Sequence, residues 1–200
     1  NWKYILLSVI LFPLVGMVSS CSEESAKTGE FDNWQQRNDE AVNQWAANTS
    51  LRKIKTFSKD PSSTGTNADY IYVQVLETGN GADSPLFNDT ARVAYRGYFI
   101  PTASYSDGYV FDQNYIGDFS WSTAGMTDFA ITSNLCDGFS TALMNMHKGD
   151  RWRVYMPYQL GYGTTVSGSI PAYSNLIFDI ALQDFWHPGD VHPSFKARKK

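Results

Sequence analysis

The sequence predicts an α+β domain in which an antiparallel β-sheet wraps one short central helix, and two observations carry that expectation. From Asp69 onward, apolar and polar residues alternate at period two in several runs separated by turn-forming residues. Between Gly138 and Gly149 the period switches, and Phe139, Leu143 and Met146 recur at helical spacing over two to three turns. Several strands and one short helix suit a sheet that buries the helix on one face. Hydrophobic residues make up 42% and charged residues 18% of the 200-residue chain, which suits one globular domain with appended segments. No internal repeat is present.

The elements follow in order. Asn1-Trp2-Lys3, a mostly apolar run from Tyr4 to Val18, and then Ser19-Ser20-Cys21 have the layout of a secretory signal peptide. The run is short for a membrane span and contains Pro13 and Gly16. Val18-Ser19-Ser20-Cys21 resembles a lipobox, with Ser20 where Gly or Ala is usual. That likeness implies removal of residues 1–20 and lipidation of Cys21, several acyl chains giving stable anchoring. Residues 21–30 are polar and read as a tether. Acids just after the cysteine resemble an outer-membrane or surface-export signal, so the expected place is the cell envelope, on the periplasmic or surface face of an outer membrane.

Within 31–57, Phe31, Trp34, Ala41, Val42, Trp45 and Ala46 fall three and four apart, an amphipathic helix with Asp32 or Asn33 as N-cap. Packing on its own domain is the first expectation for its apolar face, and a homodimer with a second copy the other. Residues 58–68 are dense in turn formers and read as a linker. The domain itself is expected over 69–186. Ile71, Val73 and Val75 share a face before the turn signal Gly79-Asn80-Gly81. The same holds for Val93, Tyr95 and Phe99, for Trp152, Val154 and Met156, and for Leu176, Phe178, Ile180 and Leu182. Residues 187–200 form a polar tail ending in Lys196, Arg198, Lys199 and Lys200.

A formal net charge of −4 gives no footprint for nucleic acid, and the short basic end lacks interleaved aromatics. Cys21 and Cys136 form no metal pattern, and His147, His187 and His192 match no metal motif. The expectation is no metal and no cofactor.

Three stretches carry chemistry. Val93-Ala94-Tyr95-Arg96-Gly97 leads to Val110-Phe111-Asp112. Leu135-Cys136-Asp137-Gly138-Phe139 leads into Ala142-Leu143. Gly161-Tyr162-Gly163 is followed by Gly168-Ser169-Ile170-Pro171 and Asn175-Leu176-Ile177-Phe178-Asp179-Ile180. In this order and spacing they resemble the FKBP-type peptidyl-prolyl cis–trans isomerases from about Tyr70 to Phe185. The resemblance implies a concave apolar pocket with Tyr95, Asp112 and Tyr162 in catalytic roles. It implies Phe111, Leu135, Cys136, Phe139, Ile170 and Phe178 as substrate-binding residues. Phe139 stands where the family usually has tryptophan, and Cys136 where it has a β-branched aliphatic. A further wall phenylalanine of the family falls near Thr127, and Ser120–Asp128 aligns with nothing secure.

The function so implied is isomerisation of X–Pro bonds in envelope or secreted polypeptides, with macrolides of the kind the family binds as inhibitors. A non-catalytic peptide-binding module or holdase is the alternative, and a structural envelope lipoprotein with a lost pocket is a third reading. Phe111, Phe139, Ile170 and Phe178 would serve equally as plain core. Asp112 and Tyr162 discriminate, because a carboxylate buried in such a pocket is costly unless satisfied and a tyrosine between two glycines belongs on a loop.

Overall fold

The computed structural model describes residues 29–132 and 135–194. The expected signal peptide, Cys21 and the end of the expected basic tail lie outside the described residues. The observed elements are α1 (Trp34–Ala47), β1 (Arg52–Lys55), β2 (Tyr70–Glu77), β3 (Thr90–Tyr98), β4 (Val110–Gln113), β5 (Thr127–Ala130), α2 (Asp137–Leu143), β6 (Arg151–Met156) and β7 (Leu176–Trp186). The seven strands form one antiparallel sheet in the order β1-β2-β6-β7-β3-β4. The free edge of β3 is shared: β5 pairs with residues 90–93 and β4 with residues 96–98. The α+β expectation agrees with this architecture.

The inner face of the sheet packs on α2. Phe139, Leu143 and Met146 meet Ile71, Val73, Trp152, Val154, Met156, Ile180 and Leu182 in one buried cluster. Apolar side chains at period two on the strands and at three to four on the helix give this core its shape.

The outer face departs from simple alternation. Tyr72, Ile177, Asp179 and Ala181 are buried although they point away from α2, whereas Val75, expected in the core, is 47% exposed. Two segments cover that face. Trp45 of α1 lies 5.3 Å from Tyr155 and 6.4 Å from Tyr72, ring centre to centre. The 114–126 connection lays Tyr115, Phe119 and Trp121 in successive edge contacts over Ala94 and Ala181. Val75, on the same side of the sheet as Ile71 and Val73, lies at the end of the regular β2–β6 pairing, beside an irregularity in its register.

α1 therefore packs on its own sheet. Its buried stripe is Trp34, Asn38 and Val42, and Asn38 was hidden from a search for apolar spacing. Asn33 is the N-cap, but it sits in the left-handed region at φ 50° with no side-chain cap bond, a conformation asparagine tolerates. The Asp32 carboxylate instead accepts the Gly29 N–H at 2.6 Å. β1 precedes the turn-rich 58–68 segment and pairs with β2, so that segment joins two neighbouring strands of one sheet. Nor does Gly79-Asn80-Gly81 close a hairpin, since β2 lies between β1 and β6. The Gly79 N–H donates to Asp150 (2.7 Å) and the Gly81 N–H to the Lys148 carbonyl (3.1 Å). A side chain at Gly79 would run into that Lys148 carbonyl.

Candidate functional site

At the end of the sheet where α2 begins, a recess of about 110 Å³ is lined by Tyr95, Asp112, Phe129, Leu135, Cys136, Phe139, Tyr162 and Phe178. The eight arrive on six different segments. β3 brings Tyr95, β4 Asp112, β5 Phe129 and β7 Phe178, while Leu135, Cys136 and Phe139 come from the entry to α2. Tyr162 stands on the loop after β6.

Phe139 is the floor. It is 4% exposed and meets Phe178 edge-on at 5.1 Å and Tyr95 edge-on at 6.2 Å. Phe129 completes the ring of aromatics, 5.7 Å from Tyr95 and 6.2 Å from Phe139. Such edge-to-face contacts hold each ring in place without filling the space in front of it.

Polar groups stand at the rim. The Tyr95 hydroxyl donates to Asp112 Oδ2 at 2.9 Å. Burial, then the Asp112 carboxylate as bond partner and neighbouring charge, pushes the Tyr95 phenol up to about 12, so it stays a donor. Asp112 is itself exposed, which corrects the argument from a buried carboxylate. Its bond to Tyr95 is what distinguishes it. Tyr162 is 43% exposed, its phenol is raised chiefly by burial, and its hydroxyl has no hydrogen-bond partner among the described residues. Cys136 sits at the N-cap of α2, where its carbonyl accepts from Phe139 and Ser140. Its own N–H makes no hydrogen bond to another residue among the described residues. Burial lifts the Cys136 thiol up to about 11, and its sulfur contacts Met156 Sδ at 3.8 Å. It stays a neutral thiol, unsuited to nucleophilic attack at neutral pH.

Seven of the nine residues expected in the pocket line it together. Phe111 and Ile170 do not. Phe111 stands behind the wall, stacked on Phe99 at 4.9 Å and edge-on to Phe178 at 5.5 Å, and Ile170 is 7% exposed within the core cluster. The wall phenylalanine sought near Thr127 is Phe129, two residues further along β5.

Three asparagines missed by sequence reasoning hold these groups. Asn114 Oδ1 accepts the Tyr95 N–H at 2.8 Å, and its amide nitrogen donates to the Val93 carbonyl and Thr127 Oγ1, both at 3.0 Å. It thereby fixes Tyr95 against the start of β5. Asn38 of α1 accepts the Asn175 N–H (2.8 Å), and the Asn175 amide donates to the Asn38 carbonyl (2.7 Å). Asn175 Oδ1 in turn accepts the Tyr158 N–H (2.9 Å), and the Tyr158 carbonyl takes the N–H groups of Gly161 and Gly163 on either side of Tyr162. α1 thus supports the Tyr162 loop through buried amides, which are not apolar and leave no periodic signal.

The recess has room for one small apolar ring among four aromatic side chains, with the Tyr162 phenol and the Tyr95–Asp112 bond at its rim. Among the described residues, no histidine, lysine or serine lines it.

The sequence model of the family described as FKBP-type peptidyl-prolyl cis-trans isomerase matches residues 81–183. Macrophage infectivity potentiator of Trypanosoma cruzi is 27% identical over 180 residues, covering 90% of this chain and 80% of that protein. The FKBP-type peptidyl-prolyl cis-trans isomerase FkpA of Escherichia coli is 31% identical over 144 residues, 72% of this chain. The match spans only 46% of FkpA's own length. The crystal structure of E. coli FkpA superposes with a TM-score of 0.57 at 24% identity, covering 78% of this chain and 60% of that one, a likeness of fold.

Proposed function

The chain belongs to the FKBP-type peptidyl-prolyl cis–trans isomerase family, and from that premise we propose that it catalyses rotation about X–Pro bonds of polypeptides in the recess described above. The observation that carries the reading is the aromatic recess bordered by the Tyr95–Asp112 hydrogen bond and the Tyr162 hydroxyl.

Rotation about an amide faces a barrier of about 18–20 kcal/mol, because the nitrogen gives up resonance with the carbonyl. No bond to carbon breaks, so neither nucleophile nor cofactor is needed. The twisted amide has less charge separation than the planar one, and an apolar recess favours it, which is differential stabilisation of the transition state. Phe139, Phe129, Phe178 and Tyr95 grip the prolyl ring. The Cys136 N–H and the Tyr162 hydroxyl hold substrate carbonyls, while Asp112 orients Tyr95 and polarises the rim. The catalytic unit includes 31–57 together with 69–186, since α1 and β1 pack on the same sheet.

A protease-free isomerase assay on a short X–Pro peptide tests this. Tyr162→Phe removes a hydroxyl anchor worth about 1–1.5 kcal/mol and is expected to slow turnover roughly five- to tenfold, with an unchanged melting temperature. Asp112→Ala is expected to lower turnover in a folded protein as well. Full activity in both variants would remove Asp112 and Tyr162 from the catalytic roles, and no turnover by the unaltered protein would favour the non-catalytic peptide-binding module.

Macrolides of the FKBP-binding type are the proposed inhibitors, resting on Phe139. A phenylalanine floor presents less area than a tryptophan, and tens of Å² of lost contact cost on the order of 1 kcal/mol. Phe139→Trp is expected to tighten macrolide binding several-fold while changing turnover little, since that contact is shared by ground and transition states. Calorimetric titration of both proteins checks this. A stably folded variant that binds no better would remove Phe139 from the ligand-contacting floor.

The substrates are proposed to be envelope or secreted proteins, with the domain anchored through lipid on Cys21. The apolar run that ends at Ser19-Ser20-Cys21 supports this. Mass spectrometry of the protein from its native membrane is expected to find residues 1–20 absent and acyl chains on Cys21. An unmodified Cys21 would overturn the anchor.

A further inference from the structure

The segment before α1 and the β3–β4 hairpin together form a second apolar recess, of about 250 Å³. That is below the roughly 300–1,000 Å³ of small-molecule sites and suits a single side chain. Phe31, Phe99, Tyr105 and Tyr109 wall it, and Ser169 stands at its edge. Phe99 is buried at its base, whereas Phe31 (45%), Tyr105 (45%) and Tyr109 (42%) keep much of their ring surface open. Aromatic surface gathered around one hollow marks a binding site more than scattered apolar exposure does.

The recess is held open by bonds that do not involve its rings. Arg37 of α1 donates to the Pro101 carbonyl at 2.8 Å and to the Glu30 carbonyl at 2.9 Å. The Glu30 carboxylate accepts the Ser104 N–H at 3.1 Å. These bonds clamp the hairpin to the segment before α1. Tyr105 meets Tyr109 edge-on at 5.0 Å, and Phe31 meets Phe99 edge-on at 6.3 Å.

The recess shares no lining residue with the prolyl pocket and lies on the other side of the same aromatic wall. Phe99 stacks on Phe111 at 4.9 Å, and Phe111 meets the pocket wall Phe178 at 5.5 Å. Ser169 adjoins Ile170 in the loop that leads from Tyr162. Two ring-to-ring steps therefore separate the sites, and an extended chain advances about 3.3–3.6 Å per residue. We propose that this recess is an auxiliary subsite that takes an aromatic side chain of the same polypeptide, about three residues from the proline being isomerised. An aromatic occupant matches walls that offer ring edges and faces to it. The proposal rests on the isomerase reading and adds a preference among its substrates.

The test uses peptides sharing one X–Pro core, with phenylalanine or alanine three residues to either side. In the protease-free assay, phenylalanine on one side is expected to lower KM several-fold at similar kcat, the mark of binding made equally in ground and transition states. Tyr105→Ser and Phe31→Ser are expected to bring the ratio between the two peptides toward one. A benzoylphenylalanine at the favoured position is expected to cross-link to the 105–109 segment. Equal KM on both sides in the unaltered protein, with all peptides turned over, would sink the subsite and leave the isomerase reading standing. If no peptide is turned over, the isomerase reading fails, and the binding ratio of the same peptides decides the recess: a several-fold preference upholds it and equal binding overturns it.

Discussion

Gly97→Ala is expected to destabilise the domain by about 1–3 kcal/mol and to lower isomerase turnover by about tenfold or more. Gly97 lies in β3 between Asp112 of β4 and Phe178 of β7 in the sheet register. A methyl group there would collide with the Phe178 ring and come within 2.7 Å of Phe111 Cζ. Neither ring can yield cheaply. Phe178 is packed edge-on against Phe139 and Phe111, and Phe111 is backed by Phe99. The collision is thus passed to the pocket wall, so stability and rate fall together. Urea unfolding and the peptide assay on the same preparation read both. An unchanged midpoint with unchanged turnover would mean that these rings do not crowd Gly97.

Arg153→Met is expected to cost about 3 kcal/mol. Arg153 donates to Asp179 through Nε at 2.7 Å and Nη2 at 2.9 Å, on the sheet's outer face. The Asp179 side chain is 8% exposed, and it also accepts from the Tyr98 hydroxyl at 3.4 Å. The bonds it donates to Asp179 hold the Arg153 guanidinium above its usual range, and burial with the Asp179 charge nearby does the same for the Tyr98 phenol. Removing one member of a buried pair typically costs about 3–5 kcal/mol, because the other charge is left without compensation. The lower end applies here, since the Arg153 side chain is 37% exposed and water relieves part of the loss. Arg153→Met with Asp179→Leu is expected to recover most of the stability, an apolar pair being tolerated where a lone carboxylate is not. Thermal melts of the two single variants and the double variant decide it. A double variant no more stable than Arg153→Met would show that the orphaned charge is not the cause.

Most of the pocket was legible because its residues lie in short local patterns. Tyr95 and Asp112 sit on neighbouring strands, Leu135, Cys136 and Phe139 occupy the start of one helix, and Tyr162 stands between two glycines. Phe129 was harder to find because the 114–126 connection before it has no period. Its aromatic residues serve the outer face of the sheet, while Phe129 itself faces inward from a four-residue strand. Phe111 and Ile170 had the expected chemistry, but sequence could not say whether they stood at the surface of the wall or one layer behind it.

The sequence by itself determined the α+β class and the inner core, because local geometry converts apolar periodicity directly into faces. Most pocket residues were named by the resemblance of three short motifs to the family. Tertiary structure alone decided which outer-face residues are buried, how α1 props the Tyr162 loop through Asn38 and Asn175, and how the hairpin and the segment before α1 come to share a recess. Those outcomes depend on segments far apart in sequence meeting in space. Polar groups that satisfy one another when buried, such as Asn38 and Asn175, 137 positions apart, carry no periodic trace of the meeting.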